Sequence, residues 1–578
     1  MRRIFRYSPA LPRTPAFSLG DAVIVLSLVA LLYVGGRVAL KTPAIVKGPE
    51  ISLSFRALPW YAALSVGRMT LAYLLSLFFS LAYGYAAAHN RTAEKFLMPL
   101  LDVLQSVPIL SFLPVVLLSL HAILPQRLAA ELAAVILIFT SQAWNMTYSF
   151  YQSVKTIPGE LREVAAIFRL GPWLSFRMLE VPFAAIGLIW NSMMSWAGGW
   201  FFLMAAEIFQ VGSRDFRLPG LGAYLQTAAN AGDLHAVLAG LATLVLVIVL
   251  LDQLVWRPIL AWADRFKLEM ATAEEPPRSW FFNALSRSWL AERFERLALR
   301  PLGERVDATI QRRASAGAVM PNAGQGSLSR RASWLTVGAG SALGLAVAYG
   351  VLRAAALLAT LPAAAWRGLA LGLAATLARV VASLALAVMW TVPVGVAIGT
   401  NRRLAALVQP VVQVVASVPA TALFPVLLLA LLRLPGGLNL SAVLLMLLGT
   451  QWYVLFNVIA GASALPQDLM YTTDLLRLSR WQRWRTLFLP ALFPYLVTGM
   501  ITASGGAWNA SIVAEHVQFG GETHATSGVG ALIARATSEG NYALLLAGTL
   551  VLILTVVTIN RTFWRWLYRV AEERFSME

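Results

Sequence analysis

The sequence predicts an all-α polytopic membrane protein with about twelve transmembrane helices, arranged as two parallel repeats of six. Its 578 residues are 58% hydrophobic and 13% charged, whereas a soluble domain is roughly 45–50% apolar and about 25% charged. Twelve apolar segments approach the roughly 20 residues that a helix needs to cross a bilayer. Matching residues also recur 308 positions apart, which predicts that one membrane module has been duplicated and fused.

The apolar segments divide evenly between the two halves. In the first half they lie near 20–40, 60–88, 95–120, 128–150, 183–207 and 234–256; in the second they lie near 334–359, 370–398, 406–432, 438–461, 491–515 and 541–562. The first segment follows a basic start and resembles a signal peptide. No convincing small-residue cleavage site follows it, so we interpret it as the first span.

The distribution of charge predicts the orientation of the spans. Lys and Arg concentrate between spans two and three, between spans four and five, and in the matching loops of the second half. Such loops are cytoplasmic by the positive-inside rule, so both termini are expected in the cytoplasm. Six spans per module give the two modules the same orientation. The net charge of +18 is explained by these loops, and we expect no nucleic-acid partner.

The expected domains are a first module at 1–256, a cytoplasmic linker at 257–331 and a second module at 332–578. The linker mixes both signs of charge, and its segment 279–300 has an apolar face and an Arg-rich face. This pattern predicts an amphipathic helix at the inner membrane surface. We favour a passive tether over a regulatory role. The chain has no cysteine, which excludes disulfides and thiolate metal sites.

The repeat is most regular from Pro158 to Gly222 and from Pro466 to Gly530. The matched pairs are Pro158 and Pro466, Trp173 and Trp481, Arg177 and Arg485, Pro182 and Pro490, Trp200 and Trp508, Glu207 and Glu515, Gly220 and Gly528, and Gly222 and Gly530. Upstream the offset is 311, which pairs Arg68 with Arg379 and Pro108 with Pro419. A short deletion in an external loop accounts for the difference.

Between spans four and five each module has about 30 residues that are too polar to cross a membrane. Leu161, Val164, Ala165 and Phe168 fall on one face of a predicted helix, with Glu160, Glu163 and Arg169 facing elsewhere and a turn at Gly171-Pro172. The second copy has Leu469, Thr472, Thr473 and Leu476 on that face, with Asp468 and Arg477 in place of Glu160 and Arg169. We therefore expect two short inner-surface helices.

This order of residues resembles the EAA loop of ABC importer permeases, here Glu163-Val164-Ala165-Ala166, Leu170-Gly171 and Val181-Pro182. Ala206-Glu207 followed by Gly220-Leu221-Gly222, repeated as Ala514-Glu515 and Gly528-Val529-Gly530, is similar to the nitrate/sulfonate/taurine-type branch. The resemblance covers both modules. It implies a type I permease fold in a bacterial inner membrane and a small anion as substrate.

The resemblance also implies the partners. In that family the loop is a coupling helix that docks on an ATPase, so two ABC ATPase subunits would bind ATP and Mg, and a periplasmic or lipid-anchored binding protein would deliver the substrate. The chain itself would be a transport subunit rather than an enzyme, with no cofactor. The implied coupling residues are Glu160, Leu161, Glu163, Val164, Ala165, Phe168, Arg169, Gly171, Asp468, Leu469, Thr472, Leu476, Arg477 and Ser479.

The second loop departs from the family pattern at two positions. Tyr471 stands where the first loop has Glu163, and Ser479 stands where it has Gly171. We therefore expect the two docking surfaces to differ, with the first closer to the family's.

The candidates for the transport pathway are Trp200, Glu207, Trp508, Glu515, Pro108 and Pro419. The two glutamates end span five of each module; they either shape a gate or bond to helix ends and to Arg68 and Arg379. The tryptophans either line the route or pack. The prolines interrupt spans three and nine, either at the translocation route or as packing kinks. The histidines show no metal-ligand spacing.

One other class of protein fits the helix count. An ion- or proton-driven secondary transporter also has two six-helix halves, but it does not explain two matched cytoplasmic loops. The chain has no G-x-x-x-x-G-K-[ST] motif, so an ATP-driven mechanism requires a separate nucleotide-binding subunit.

Overall fold

The computed structural model describes residues 19–39, 46–211, 214–266, 279–286, 325–431, 434–519 and 522–575, together with positions 288, 293, 297, 301, 307 and 309. These residues are helical except for loops and two short antiparallel hairpins. The predicted all-α class is thereby confirmed.

The first module contains ten helices and one hairpin. They are α1 Leu19–Ala39, α2 Leu58–His89, α3 Arg91–Ser106, α4 Ile109–His121, α5 Gln126–Lys155, α6 Gly159–Ile167, α7 Pro172–Ser175, α8 Val181–Glu207, β1 Gln210–Val211, β2 Arg214–Asp215, α9 Leu221–Asn230 and α10 Leu234–Leu251. Helices α11 Arg257–Ala263 and α12 Trp280–Ser286 follow in the linker. The latter is the described part of the predicted amphipathic segment; most of the rest lies outside the described residues.

The second module repeats this order. It contains α13 Gln325–Leu358, α14 Ala363–Gly399, α15 Arg402–Ser417, α16 Ala420–Leu431, α17 Gly437–Ser463, α18 Gln467–Leu475, α19 Arg480–Arg483, α20 Leu489–Ala514, β3 His516–Phe519, β4 Glu522–Ala525, α21 Val529–Ser538, α22 Tyr542–Ile559 and α23 Arg565–Phe575. Every predicted span falls on one of these helices or on a consecutive pair of them.

Within the described residues, nine helices are long and apolar enough to cross a membrane, and the bent pair α3–α4 makes a tenth. The predicted interruption of the span at 95–120 is confirmed, because α3 and α4 meet at 94°. Pro108 lies at the break; it lacks an N–H and restricts the backbone of Val107, so α3 ends there. Pro114 lies inside α4 without ending it. The second copy is interrupted at the same place, around Pro419.

The repeat extends to backbone details that side-chain patterns do not report. Turns of π-helix occupy Phe176–Glu180 and Trp484–Phe488, and also Asp252–Trp256 and Asn560–Trp564. Each pair lies at the 308-residue offset of the sequence repeat. A π turn holds one extra residue and is uncommon, so its recurrence is independent evidence for duplication.

Each module is built around three long helices, α2, α5 and α8 in the first and α14, α17 and α20 in the second. The modules meet through their broken spans, because α4 packs on α20 and α16 packs on α8. Two hydrogen bonds at equivalent places mark this contact: Leu110 N–H to Asn509 Oδ1 (3.4 Å) and Thr421 Oγ1 to the Phe201 carbonyl (3.5 Å). The module interface is therefore pseudo-twofold.

Candidate functional site

The two cytoplasmic loops share one backbone. Each begins with a proline followed by a nine-residue helix, α6 or α18. Arg169 and Arg477 then adopt left-handed conformations, with φ of 51° and 47°. The N–H of Leu170 bonds to the Ala165 carbonyl at 3.0 Å, and that of Leu478 bonds to the Thr473 carbonyl at 3.1 Å. This six-to-one bond is the Schellman ending of a helix.

The predicted turn at Gly171-Pro172 is wrong, since the reversal occurs at Arg169. Gly171 has an extended conformation (φ −64°, ψ 165°), which any residue adopts, and Ser479 has nearly the same angles (φ −60°, ψ 159°). The change from glycine to serine therefore leaves the path of the chain unaltered. Ser479 in fact caps α19, because its hydroxyl accepts from Gln482 N–H at 3.3 Å.

The predicted apolar face of α6 divides into two surfaces. Leu161 and Ala165 are half-buried, and Leu161 packs against the module, whereas Val164 and Phe168 are exposed, Phe168 by 73%. Ile167, which the periodicity did not identify, is 77% exposed beside Phe168. Leu161, Val164, Ala165 and Phe168 share one side of the helix by their spacing, but the module covers only part of that side.

The second loop presents the same surface. Leu469 packs against its module and Thr473 is buried, while Leu475 and Leu476 are 86% and 51% exposed. These two residues correspond to Ile167 and Phe168. The polar members of the predicted coupling set are exposed in both loops: Glu160, Glu163, Arg169, Asp468, Thr472 and Arg477. Each loop therefore ends its short helix in an exposed apolar pair surrounded by polar groups.

Different side chains hold the two loops in place. In the first, Trp173 Nε1 donates to Asp307 Oδ1 at 2.9 Å, and Arg177 forms an ion pair with the same carboxylate. Asp307 belongs to the linker. In the second loop, Asp474 pairs with Arg483, and both belong to the loop.

Glu207 lies at the end of α8 and is fully buried. Its carboxylate accepts hydrogen bonds from Ser65 Oγ (2.6 Å), Arg68 Nη1 (2.8 Å) and Gly222 N–H (2.7 Å). The last donor belongs to the first turn of α9, where unpaired helix N–H groups favour an anion. The carboxylate therefore joins α8 to α2 and to the start of α9.

Glu515 has the equivalent set of hydrogen-bond donors in the second module. We call each set of donors around a buried glutamate a cradle. It is fully buried and accepts from Thr376 Oγ1 (2.7 Å), Arg379 Nη1 (2.8 Å) and Gly530 N–H (2.9 Å). The two cradles differ in one partner. Arg68 also contacts Glu131 at 2.6 Å, whereas Arg379 contacts the amide oxygen of Asn439, the equivalent residue, at 2.7 Å.

The cradle explains the Gly-x-Gly pattern that follows each glutamate. A Cβ atom on Gly220 would lie 2.3 Å from Glu207 Cδ, and one on Gly528 would lie 2.2 Å from Glu515 Cδ. Only glycine leaves room for the carboxylate at these positions. Of the two alternatives for Glu207 and Glu515, bonding to a helix end and to Arg68 or Arg379 is the geometry present.

The remaining pathway candidates take different positions. Trp200 and Pro419 line a cavity of about 610 Å³ between α8 of the first module and α15, α17 and α20 of the second. Trp508 is 1% exposed and packs in the core, although its neighbour Asn509 lines the cavity. Pro108 is buried at the break between α3 and α4. No group of His, Asp and Glu that could hold a metal ion occurs among the described residues.

Comparison with known proteins gives several partial relatives. The nitrate import permease protein NrtB of Synechocystis sp. is 30% identical over 149 residues, which are 26% of this chain and 53% of that protein. The bicarbonate transport system permease protein CmpB of Synechococcus elongatus is 29% identical over 195 residues, 34% of this chain and 66% of that protein. The taurine transport system permease protein TauC of Escherichia coli is 27% identical over 182 residues, 32% of this chain and 62% of that protein. The chain thus spans about half to two thirds of the length of these relatives.

One family model matches the chain twice, at residues 77–255 and 391–576, and it describes the binding-protein-dependent transport system inner membrane component. The two matches fall in the two predicted modules and include both cytoplasmic loops and both buried glutamates, Glu207 and Glu515. The chain therefore belongs to this family of multi-pass inner-membrane transport permeases and carries its module in duplicate.

Proposed function

We propose that this chain is the complete pair of membrane modules of an ATP-driven importer and that its two cytoplasmic loops dock two separate ATPase subunits. The observation that carries the proposal is the exposed apolar pair at the end of each short helix, Ile167-Phe168 and Leu475-Leu476. Large apolar side chains grouped on a polar surface mark an interaction site. A secondary transporter has no use for two such surfaces in matched positions.

The connections of each loop to the membrane helices support a mechanical role for the loop in transport. Helix α6 is joined to α5 through Thr156 and Ile157 and to α8 through α7 and a π turn. Its inner face packs against the module, so a displacement of α6 moves the cytoplasmic ends of two spans together. Packed helices tend to occupy discrete arrangements rather than deform continuously, and ATP-driven movement of the docked subunits would select between an outward-open and an inward-open arrangement.

The rest of the assembly follows from the family. Both termini would be cytoplasmic, because the loops and the termini lie on the same side when each module has six spans. A periplasmic or lipid-anchored binding protein would deliver the solute to the outer face. The relatives are named for nitrate import, bicarbonate transport and taurine transport, so a small polar solute delivered in this way is the starting expectation for this chain.

The test is capture of an ATPase by the tagged full-length chain from its native membranes, measured as phosphate release from ATP in the eluate. The wild-type chain is expected to retain ATPase activity. Ile167→Asp with Phe168→Asp, combined with Leu475→Asp and Leu476→Asp, is expected to remove at least about nine tenths of it, because burial of one such side chain contributes roughly 1.5–3 kcal/mol.

Thr92→Asp is the matched control, since it adds an acidic residue to the exposed first turn of α3, a helix that belongs to neither loop. It should leave capture unchanged. Robust gradient-driven uptake by the purified chain alone in ATP-free liposomes would refute the ATP-driven assignment.

A further inference from the structure

Two cavities have linings that partly correspond through the repeat, and these linings differ in chemistry. The first cavity, of about 430 Å³, is formed by α3, α5 and α8 of the first module. The second is the cavity of about 610 Å³ between α8 and the second module. Four lining residues of the first cavity correspond, by the repeat offsets, to lining residues of the second: Gln105 to Ala416, Asn145 to Tyr453, Tyr148 to Phe456 and Gln152 to Ala460.

The first cavity is lined by hydrogen-bonding side chains throughout. Its lining residues are Gln105, Asn145, Tyr148, Ser149, Gln152, Ser153, Thr156 and Asn191. Those from α5 recur every three or four positions and form a polar stripe along a membrane span, with Asn145 and Gln152 exposed into the space. A polar stripe facing lipid would lack hydrogen-bond partners. This stripe therefore faces water or solute.

The second cavity is aromatic. The rings lining it come from Trp190, Trp196, Trp200, Phe201, Phe202, Trp256, Trp452, Tyr453 and Phe456. Its polar lining consists of a few groups, chiefly Gln409, Gln413, Ser417 and Asn509. A mostly apolar concave space with a few hydrogen-bonding groups is typical of sites for organic ligands, which occupy roughly 300–1,000 Å³.

Neither cavity has a positive charge in its described lining. Asp252 is the single charged residue among the lining side chains of both, and it is paired with Arg257 at 2.9 Å. A small inorganic anion that leaves water requires compensating positive charge or several directed N–H donors, and the larger, aromatic second cavity has few such donors for its size, chiefly Gln409, Gln413 and Asn509. Aromatic faces carry negative charge density, so the second cavity disfavours an anion.

We infer that the solute carried by this chain is an uncharged organic molecule with a planar apolar part and hydrogen-bonding groups, rather than a small inorganic anion. This inference rests on the proposed permease function. The rings of the aromatic cavity accommodate the planar part, and the few polar side chains in its wall, chiefly Gln409, Gln413, Ser417 and Asn509, bond to the hydrogen-bonding groups. It replaces the small-anion expectation drawn from the family resemblance.

Nicotinamide is a suitable probe, because it is neutral, planar and bears an amide. Saturation-transfer NMR on the full-length chain in lipid nanodiscs, without ATP or ATPase, is expected to show saturable nicotinamide binding that sodium nitrate does not displace. Empty nanodiscs correct for partition into lipid. Trp190 is 51% exposed into the cavity region, and its equivalent in the second module is Thr498. Trp190→Thr is therefore expected to weaken binding about three- to ten-fold, as loss of one aromatic contact implies.

Trp60→Thr is the matched control, because Trp60 is exposed on α2 and lines neither cavity; it should leave nicotinamide binding unchanged. The inference is overturned if nicotinamide does not bind, if Trp190→Thr binds it as tightly as the wild type, or if nitrate competes for the same site. The binding measurements do not depend on ATPase capture. An incorrect substrate class can therefore be distinguished from an incorrect permease function.

Discussion

Arg68 in the first module lies between two carboxylates, Glu131 and Glu207, whereas Arg379 in the second faces one carboxylate, Glu515, and the amide of Asn439. The loops differ in the same manner. Trp173 and Arg177 in the first bind the linker, while the second is held by residues of its own. In both comparisons the two modules share the same backbone conformation, but different side chains form the stabilising contacts. After the duplication, the backbone geometry was retained while the side-chain contacts of the two copies diverged.

The largest expected effect is a loss of stability when the arginine of a glutamate cradle is replaced. Arg68→Met leaves Glu207 buried without its cation and also releases Glu131. Breaking a buried ion pair by removing one partner costs about 3–5 kcal/mol. We expect a loss of stability of this order, measured by detergent-induced unfolding in mixed micelles followed by tryptophan fluorescence. Arg379→Met should cost less, because it releases one carboxylate rather than two. A larger loss for Arg379→Met would contradict the comparison.

The second largest effect is expected on ATPase capture when the exposed apolar pairs of the loops are changed. Phe168→Asp is expected to reduce ATPase capture by at least about ten-fold, since it replaces an apolar contact by a charge that must be desolvated. Leu476→Asp should reduce capture less, because Leu476 is less exposed and the first loop is closer to the family pattern. Equal losses in the same phosphate-release assay would mean that the departures at Tyr471 and Ser479 do not affect docking.

Removing the contact between the linker and the first loop should have a smaller effect, confined to the dynamics of that loop. Asp307→Ala removes the acceptor of both Trp173 and Arg177. Partly exposed ion pairs contribute about 0–1 kcal/mol, so hydrogen exchange in residues 172–180 should rise about two- to five-fold, as measured by mass spectrometry. Residues 480–488 serve as the internal control, because they are the equivalent segment of the second loop. A rise in both segments would show that the linker acts on the whole module.

The smallest effect is expected where the second loop departs from the family. Ser479→Gly restores the residue of the first loop at an N-cap, and serine-to-glycine changes there cost only a few tenths of a kcal/mol. Hydrogen exchange of residues 480–483 should increase slightly, while ATPase capture stays the same. A clear loss of capture would show that the Ser479 hydroxyl contacts the partner directly.

The sequence was sufficient for the architecture and for the location of the sites. Spacing identified the duplication and the two loops, and it gave bonding to Arg68 and Arg379 as one of two alternatives for Glu207 and Glu515. It could not separate Leu161 from Ile167, because helical periodicity defines sides of a helix without saying which side is covered by the rest of the protein. It also assigned the loop reversal to Gly171, since glycine is the usual residue at a helix end; here arginine takes that conformation.

Two other features lay beyond any local pattern. The proline predicts an interruption of the span, but it does not give the size of the 94° bend at Pro108, since a proline can either kink or break a helix. The bond from Trp173 to Asp307 joins residues 134 apart, and the linker has no repeat to indicate which of its acidic residues is involved. The pattern of one chain segment contains neither the size of the bend nor this bond.

The constant offset of 308 residues between the two copies also has a consequence for symmetry. In a homodimer of identical permeases, each substitution appears on both sides of the two-fold axis, so a polar wall faces an identical polar wall. When both modules belong to one chain, a substitution alters one side only. Asn145 and Tyr453, or Gln152 and Ala460, occupy equivalent positions and have diverged freely. Gene fusion thereby permits two cavities with unlike linings, an arrangement that a symmetric pair of subunits cannot form.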